Sequence, residues 1–441
     1  MRKAVAILLF CSAGMLACQA RQAAASERRV VATAAQLLAF SEKLAAAGSV
    51  EDAKTILSAL THDPDKNIRN EARFRLARLM EAEGKNTSAA LMLRAVVDDV
   101  PTAVPVRLEL AQLLDRMGDR DGAWRQIRSV RANGLPPAVV RLIDRYSEAL
   151  RAARPSGISL EVTLAPDSNI NRATRSDTLG TVLGDFTIDE DAKARSGTGL
   201  ALSAQGYRRF PIPGLDGAAL LRVSGFGNLY RRSEFNVVGL DAAAGPELQL
   251  GSNRINLEAG VNQRWFGQKP YARSFRIGAS LLRPIGGRSQ LDLSAGASII
   301  DNRVNNLEDG RNYSAHLGVE RALSPTTGVV ASISGERLNA RDPGYSTTAW
   351  RAGLSFWRDV GRLTLTAGGE LGRLKADERL SLFPSKRQDR YSRFSLAATF
   401  RQVQFGGFAP VARFTIERNS STIGFYDYHR RRSELGITRA F

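Results

Sequence analysis

The segment LDLSAGASI, residues 291–299, places Leu291, Leu293, Ala295, Ala297 and Ile299 on one side of an extended chain and Asp292, Ser294, Gly296 and Ser298 on the other. Successive side chains of a strand point to opposite faces, so this period of two predicts a β-strand with one apolar and one polar face. The pattern recurs at Ile255, Leu257, Ala259 and Val261 against Asn256, Glu258, Gly260 and Asn262, and at Phe394, Leu396, Ala398 and Phe400 against Arg393, Ser395, Ala397 and Thr399. Similar runs lie near Leu200, Leu221, Leu240, Ile277, Leu317, Ile333, Leu354, Leu365, Phe414 and Ile437. A soluble sandwich alternates too, but its inward face is dry. Here the polar face carries Glu258, Arg264, Asp292, Glu320, Glu336, Arg351, Glu370, Arg393 and Arg413, charges that no dry core accepts unpaired. They suit a wet lumen, with the apolar face turned to lipid: a transmembrane β-barrel.

The connections point the same way. Short turns (GSN at 251–253, PIGGR at 284–288, SPTT at 324–327, DVGR at 359–362, QFGG at 404–407) alternate with expected longer loops (FGQKPYAR at 266–273, DNRVNNLEDG at 301–310, NARDPGYS at 339–346, KADERLSLFPSKRQDR at 375–390). Short periplasmic turns and longer outer loops are the outer-membrane pattern. About 14 strands are expected between Gly157 and Phe441, an even number that leaves both barrel ends on the periplasmic side. Tyr207, Tyr230, Trp265, Trp350, Trp357 and Tyr391 fall near strand ends and are expected to form interfacial girdles. The last strand, SELGITRAF, ends on Phe441 and resembles the terminal signal by which bacterial barrels are recognised for insertion, although Arg439 breaks its apolar alternation.

Before Pro155 the period is helical. From about Arg29 to Arg154 apolar residues recur at spacings of three and four, and Ala77, Leu79, Gly84 and Ala89 return 34 residues later as Ala111, Leu113, Gly118 and Ala123. A weaker earlier copy holds Gly48, Ala53 and Pro64. A 34-residue helix-turn-helix period is the tetratricopeptide signature, so a TPR-like repeat domain is expected over 29–154, closed by a helix near Ala138–Arg151. Phe74, Leu76, Met80 and Trp124 are each read first as inter-helix core. Phe74 and Trp124 are also candidates for lining a client groove.

Residues 1–25 read as a signal peptide, with Arg2 and Lys3 ahead of an apolar stretch, Ala4–Leu16, too short to span a bilayer. Cleavage after Ala25 and a lipobox-like reading ending at Cys18 both stay open. Cys11 and Cys18 are the only cysteines, so a chain cut after Ala25 has no disulfide or thiolate chemistry. The net charge of +18 invites a nucleic-acid reading, but no basic run or nucleic-acid module is present. The charge suits anionic outer-membrane lipids or an acidic partner instead.

Little in the chain suggests an enzyme or a cofactor. Of the three histidines, His316 is expected to face the lumen between Ser314 and Gly318, the wrong side for a membrane lipase, and no metal-ligand cluster or Gly-rich phosphate loop is read. Asp301, Glu308 and Asp309 offer at most a weak calcium site. Two stretches are less generic: APDSNINRATRSDT at 165–178 and STIGFYDYHRRRSELGITRAF at 421–441. Asp167, Asn169 and Asn171 are turn formers, and Tyr426, Asp427 and Tyr428 fit a girdle and loop.

Taken with the layout, these segments resemble the surface lipoprotein assembly modifier (Slam) family of Gram-negative bacteria. The resemblance rests on helical repeats, on Asp167, Asn169, Ile170, Asn171, Arg172 and Ala173 at the barrel entrance, and on Tyr426-Asp427-Tyr428 before the terminal Phe441. It implies a 14-stranded outer-membrane barrel that helps lipoproteins, or related secreted proteins, reach the cell surface. The concave face of the repeats, suited to an extended or helical polypeptide, is expected to capture the client in the periplasm. Client, outer-membrane lipids and the barrel assembly machinery are the partners it implies. No active site carries across, which leaves Asp167, Asn169, Asn171, Arg172, Tyr426, Asp427 and Tyr428 as motif candidates. The rival readings are a passive, anion-favouring porin, an exopolysaccharide export barrel and an adhesin.

Overall fold

Helix α1, Ala34–Ala46, starts on a capping box: the Thr33 hydroxyl accepts from the Gln36 amide, and the Gln36 side chain accepts from the Thr33 amide. The computed structural model describes residues 32–117, 119–131, 156–361, 363–400 and 408–438. The expected signal segment, the expected helix near Ala138–Arg151, Gly118, the QFGG turn and Phe441 lie outside these residues. The chain forms two compact units, Met1–Ala72 and Arg73–Phe441. In the first, α1, α2 (Val50–Leu60) and the start of α3 (Lys66–Ala82) bury Leu38, Ala53, Leu57 and Leu60.

In the second unit, the remainder of α3 is followed by α4 (Asn86–Asp99), α5 (Val104–Arg116) and α6 (Arg120–Arg131). Gly84 makes the α3–α4 turn at φ +76°, backbone that residues with a Cβ rarely adopt. Helices α4 and α6 begin 34 residues apart, and the small residues of the sequence period, Ala77, Ala89, Ala111 and Ala123, are all buried. Their lack of bulk lets Leu93, Leu110, Leu113, Leu114 and Ile127 fill the space between helices. Leu76 is buried, and Phe74 and Met80 pack half-buried against this core. Trp124 lies on α6, its side chain outside the described set. Leu113→Ala is expected to destabilise the helical region by about 2–5 kcal/mol through the lost methylenes and the cavity left behind. Thermal melting followed by helical circular dichroism checks this, and an unshifted helical transition would contradict it.

The barrel begins with β1 (Ser156–Asp167), whose long outgoing loop carries the hairpin β2 (Thr178–Thr181) and β3 (Gly184–Thr187). Thirteen further strands follow: β4 (Gly197–Pro211), β5 (Gly217–Tyr230), β6 (Val237–Leu250), β7 (Asn253–Phe266), β8 (Lys269–Ile285), β9 (Ser289–Asn302), β10 (Gly310–Ser324), β11 (Thr327–Ala340), β12 (Thr347–Val360), β13 (Leu363–Ala376), β14 (Gln388–Phe400), β15 (Ala409–Ser421) and β16 (Tyr428–Thr438). Neighbours in sequence pair antiparallel, and β1 closes the ring by pairing with both β4 and β16, giving the fourteen strands expected. Leu164 on β1, Leu257 on β7, Ile277 on β8, Ile333 on β11 and Leu435 on β16 stay 44–65% exposed, an apolar outer surface that only lipid can cover.

The opposite parity carries ion pairs. Arg276 bridges Asp241 at 2.7 Å and Glu258 at 2.5 Å, Arg222 also reaches Glu258, and Arg209 holds Glu247 at 2.6 Å. His316 lies on this face too, its Nε2 beside Gly318.

Two expectations need correction. FGQKPYAR is no long loop: β7 and β8 are joined by Gly267 and Gln268 alone, both at positive φ (+55° and +66°), as in a two-residue hairpin turn with mirror-image backbone. The polar flanking residues are strand. The aromatic girdle is also smaller than expected, since Tyr207, Tyr230, Trp357 and Tyr391 share the parity of the lumen charges. Tyr207 covers Gly157, Tyr230 covers Gly199 and Trp357 covers Gly328 on paired strands, each ring filling the hollow left by a missing side chain. Tyr391 lies under the Arg351 guanidinium, 5.3 Å from its ring centroid. Trp265 and Trp350 keep the outward parity.

Candidate functional site

The first and last barrel strands, β1 and β16, meet across an interrupted ladder; among the other strand pairs, β6 and β7 show a similar gap at Gly245 and Pro246. Between β1 and β4 the partners run unbroken from Ser156–Arg208 to Asp167–Gly197. Between β1 and β16 they run, among the described residues, from Glu161–Thr438 to Leu164–Leu435, break at Ala165 and Pro166, and resume at Asp167–Arg432. Pro166 has no N–H to give to a ladder.

Side chains take over where the ladder stops. The Asp167 carboxylate, fully buried, accepts from Arg430 Nε at 2.9 and 3.0 Å and from the Asn169 amide at 3.0 Å. Arg430 also reaches Glu417 on β15 at 3.3 Å, and Glu417 accepts from the Tyr428 hydroxyl at 2.7 Å. Nearer the other end of the seam, Arg413 on β15 spans β16 to hold Glu161 at 2.9 Å and Glu434 at 3.2 Å. The Ser168 amide donates to the Arg431 carbonyl, and the Arg431 amide to the Ser168 hydroxyl.

The entrance motif then turns the chain. Asn169, completely buried, donates through Nδ2 to the carbonyls of Ala173 (2.8 Å) and His429 (3.1 Å) and accepts the Ala173 amide at 3.0 Å. One asparagine thus closes a tight turn and fixes it to β16. Asn171 ties the outgoing leg to the returning one: its Nδ2 donates to the Lys193 carbonyl and its Oδ1 accepts the Arg195 amide. Arg172 sits at φ +49° and points to Glu417, 3.3 Å away. Ile170 packs on Tyr230 and Phe235. Lys193 bridges Asp177 and Glu190 at 2.6 Å each, and its hydrogen bond holds the Asp177 carboxyl below the usual carboxylate range.

Asn169→Ala removes three hydrogen bonds from a site without water access and is expected to cost about 1–3 kcal/mol. Limited proteolysis of folded protein checks it, faster cleavage within residues 168–196 being the expected result. Unchanged cleavage would mean that the loop is held elsewhere.

The hairpin β2–β3 reaches past β16. Val182 donates its amide to the Leu382 carbonyl, and Leu179 packs with Leu380, Phe383, Ile423, Tyr345 and Tyr426 from three other loops. The Arg387 guanidinium stacks 3.5 Å from the Tyr426 ring centroid, and burial pushes the Tyr426 hydroxyl pKa up. Asp427 accepts from the Ser421 amide at 3.3 Å. Tyr428 has lumen parity and serves Glu417 rather than a lipid girdle.

The structure therefore joins the two sequence-flagged segments through partners the sequence reading did not name, Arg430 and Glu417. Strand parity could have found them. Asp167 and Glu417 fall on the inner face and require cations, and Arg430 and Arg432 share that face on the neighbouring strand. Glu308 and Asp309 are occupied by Asn302 and Asn305, and Asp301 pairs with Arg303.

A closed antiparallel barrel of fourteen strands, apolar outside and ion-paired within, is the architecture of an outer-membrane protein. The profile of the family described as surface lipoprotein assembly modifier matches residues 157–441, the whole span of the barrel, and the chain belongs to that family. It is 21% identical over 359 residues to surface lipoprotein assembly modifier 1 of Haemophilus influenzae, a match covering 77% of this chain and 71% of that protein. Among solved structures, a bacterial polysaccharide outer membrane secretin is 12% identical at TM-score 0.35, with 64% of this chain and 98% of that chain covered. The outer membrane protein OprD from Pseudomonas aeruginosa is 10% identical at TM-score 0.33, with 64% and 93% covered. Likenesses this loose carry no argument about function.

Proposed function

We propose that this protein delivers lipoproteins, or secreted relatives of them, across the outer membrane, its helical region capturing the client in the periplasm and its barrel providing the route. The observation that carries the reading is the β1–β16 seam, where a broken ladder is completed by side-chain ion pairs. A lipid-anchored client must bring acyl chains and polypeptide across together. A seam between barrel strands offers both the lipid and the aqueous side at once, whereas a continuous ladder offers neither passage nor a free edge. Water or an incoming strand can replace side-chain pairs one at a time, so such a seam opens in steps.

In this reading the clasp end of the seam faces outward, and the helical region serves the end where the chain enters the barrel. Deleting residues 29–154 is expected to leave a barrel that inserts and keeps its heat-modifiable gel mobility. Clients should meanwhile accumulate in the periplasm as they do without the gene. Normal surface delivery by that truncated chain would refute capture by the repeats.

A passive anion-favouring porin is the second reading, supported by Arg393 of the inner wall, which has no carboxylate within ion-pair distance among the described residues. Planar-bilayer conductance with anion preference, in cells whose surface proteins do not depend on the gene, would favour it.

A further inference from the structure

Between β14, β15 and β16, the inner wall and Arg172 of the entrance loop enclose a cavity of about 190 Å³. This is far more than the roughly 15 Å³ one water needs. Five arginines line it: Arg172, Arg393, Arg413, Arg430 and Arg432. The carboxylates paired with them are four. Arg172 and Arg430 share Glu417, Arg430 also holds Asp167, Arg413 holds Glu161 and Glu434, and Arg432 pairs with Glu434 at 2.9 Å. Arg393 has no carboxylate within ion-pair distance among the described residues, so the wall carries one positive charge in excess.

A second observation is independent of charge. The Thr415 hydroxyl belongs to a side chain 94% buried in this wall and has no hydrogen-bond partner, and the Arg432 Nε–H is likewise buried without an acceptor. Buried donors left unpaired are costly, and native structures rarely keep them. Water would satisfy either donor but leave the excess charge. A tetrahedral oxyanion gives acceptors to Thr415, Arg432 and Arg393 together and neutralises that charge.

We infer that this cavity binds a phosphate group, presented either by a lipid headgroup or as free inorganic phosphate. Bound there, the anion links β14, β15 and β16 to the entrance loop through Arg393, Thr415, Arg432 and Arg172. The clasp at the β1–β16 seam is then tighter with the phosphate than without it.

The test titrates inorganic phosphate into the full chain, purified in zwitterionic detergent free of phosphate and sulfate, by isothermal calorimetry. A single site is expected, weakened about tenfold by Arg393→Gln and less by Thr415→Val, and unchanged by Arg264→Gln on the inner face of β7. Arg393→Lys, which keeps the charge, should retain most of the affinity and guards against a folding defect. A second titration into nanodiscs of diphosphorylated lipid A, against phosphatidylcholine alone, separates the sources. Loss of the calorimetric signal only in lipid A identifies a headgroup, and a signal equal in both identifies free phosphate. No saturable binding, or binding equal in Arg393→Gln and the parent chain, overturns the inference.

Discussion

Arg430→Ala is expected to lower the temperature at which the barrel loses its folded gel mobility by roughly 10 °C, about 3–5 kcal/mol of stability. The size follows from what the substitution leaves behind. Asp167 has no exposed side-chain surface, and its carboxylate depends for its neutralisation on three Arg430 bonds, two from Nε near 3 Å and one from Nη2. Arg432 stands 4.0 Å away and is already engaged with Glu434, so it is a poor substitute. An unpaired buried charge costs more than the pair contributed, which makes removal of one partner worse than removal of both. The double variant Asp167→Asn with Arg430→Gln should therefore regain much of the loss. An unchanged transition in Arg430→Ala would show that the seam does not depend on the clasp.

Locking the seam should abolish delivery. Val162 on β1 and Ile437 on β16 are register partners on the outward parity, and the only native cysteines, Cys11 and Cys18, lie among the first 25 residues. Val162→Cys with Ile437→Cys, joined by a short thiol-reactive cross-linker, is expected to reduce surface display of the client to that of cells without the gene. The same cross-link between Ile277→Cys and Ala297→Cys, partners on β8 and β9, should leave display intact. A cleavable linker restores display after reduction if the block is mechanical. Normal display through a locked seam would move the route to the lumen.

The barrel was legible because one physical rule, alternation, governs every strand, and because charges such as Glu258 and Arg413 on the polar parity exclude a dry core. The same rule, applied to the aromatics, would have turned Tyr207 and Trp357 inward. Nearness to a strand end was the weaker signal. The β7–β8 connection was misread because polar composition says loop, whereas Gly267 and Gln268 complete the turn by conformation alone. Of the site, Asp167, Asn169 and Asn171 stood out since their turn chemistry is local. Their partners did not, because Arg430 is 263 residues from Asp167 and meets it only when the barrel closes. The hairpin β2–β3 was hidden for a related reason: Leu179 finds its apolar neighbours on three distant loops.

The most direct test of the account compares surface-accessible proteins, labelled by protease shaving of intact cells, with and without this gene. The account predicts that one or a few lipoproteins or secreted relatives vanish from the surface and collect in the periplasm, and return when the intact chain is restored. An unchanged surface inventory, with reduced uptake of small solutes, would contradict it and identify a porin instead.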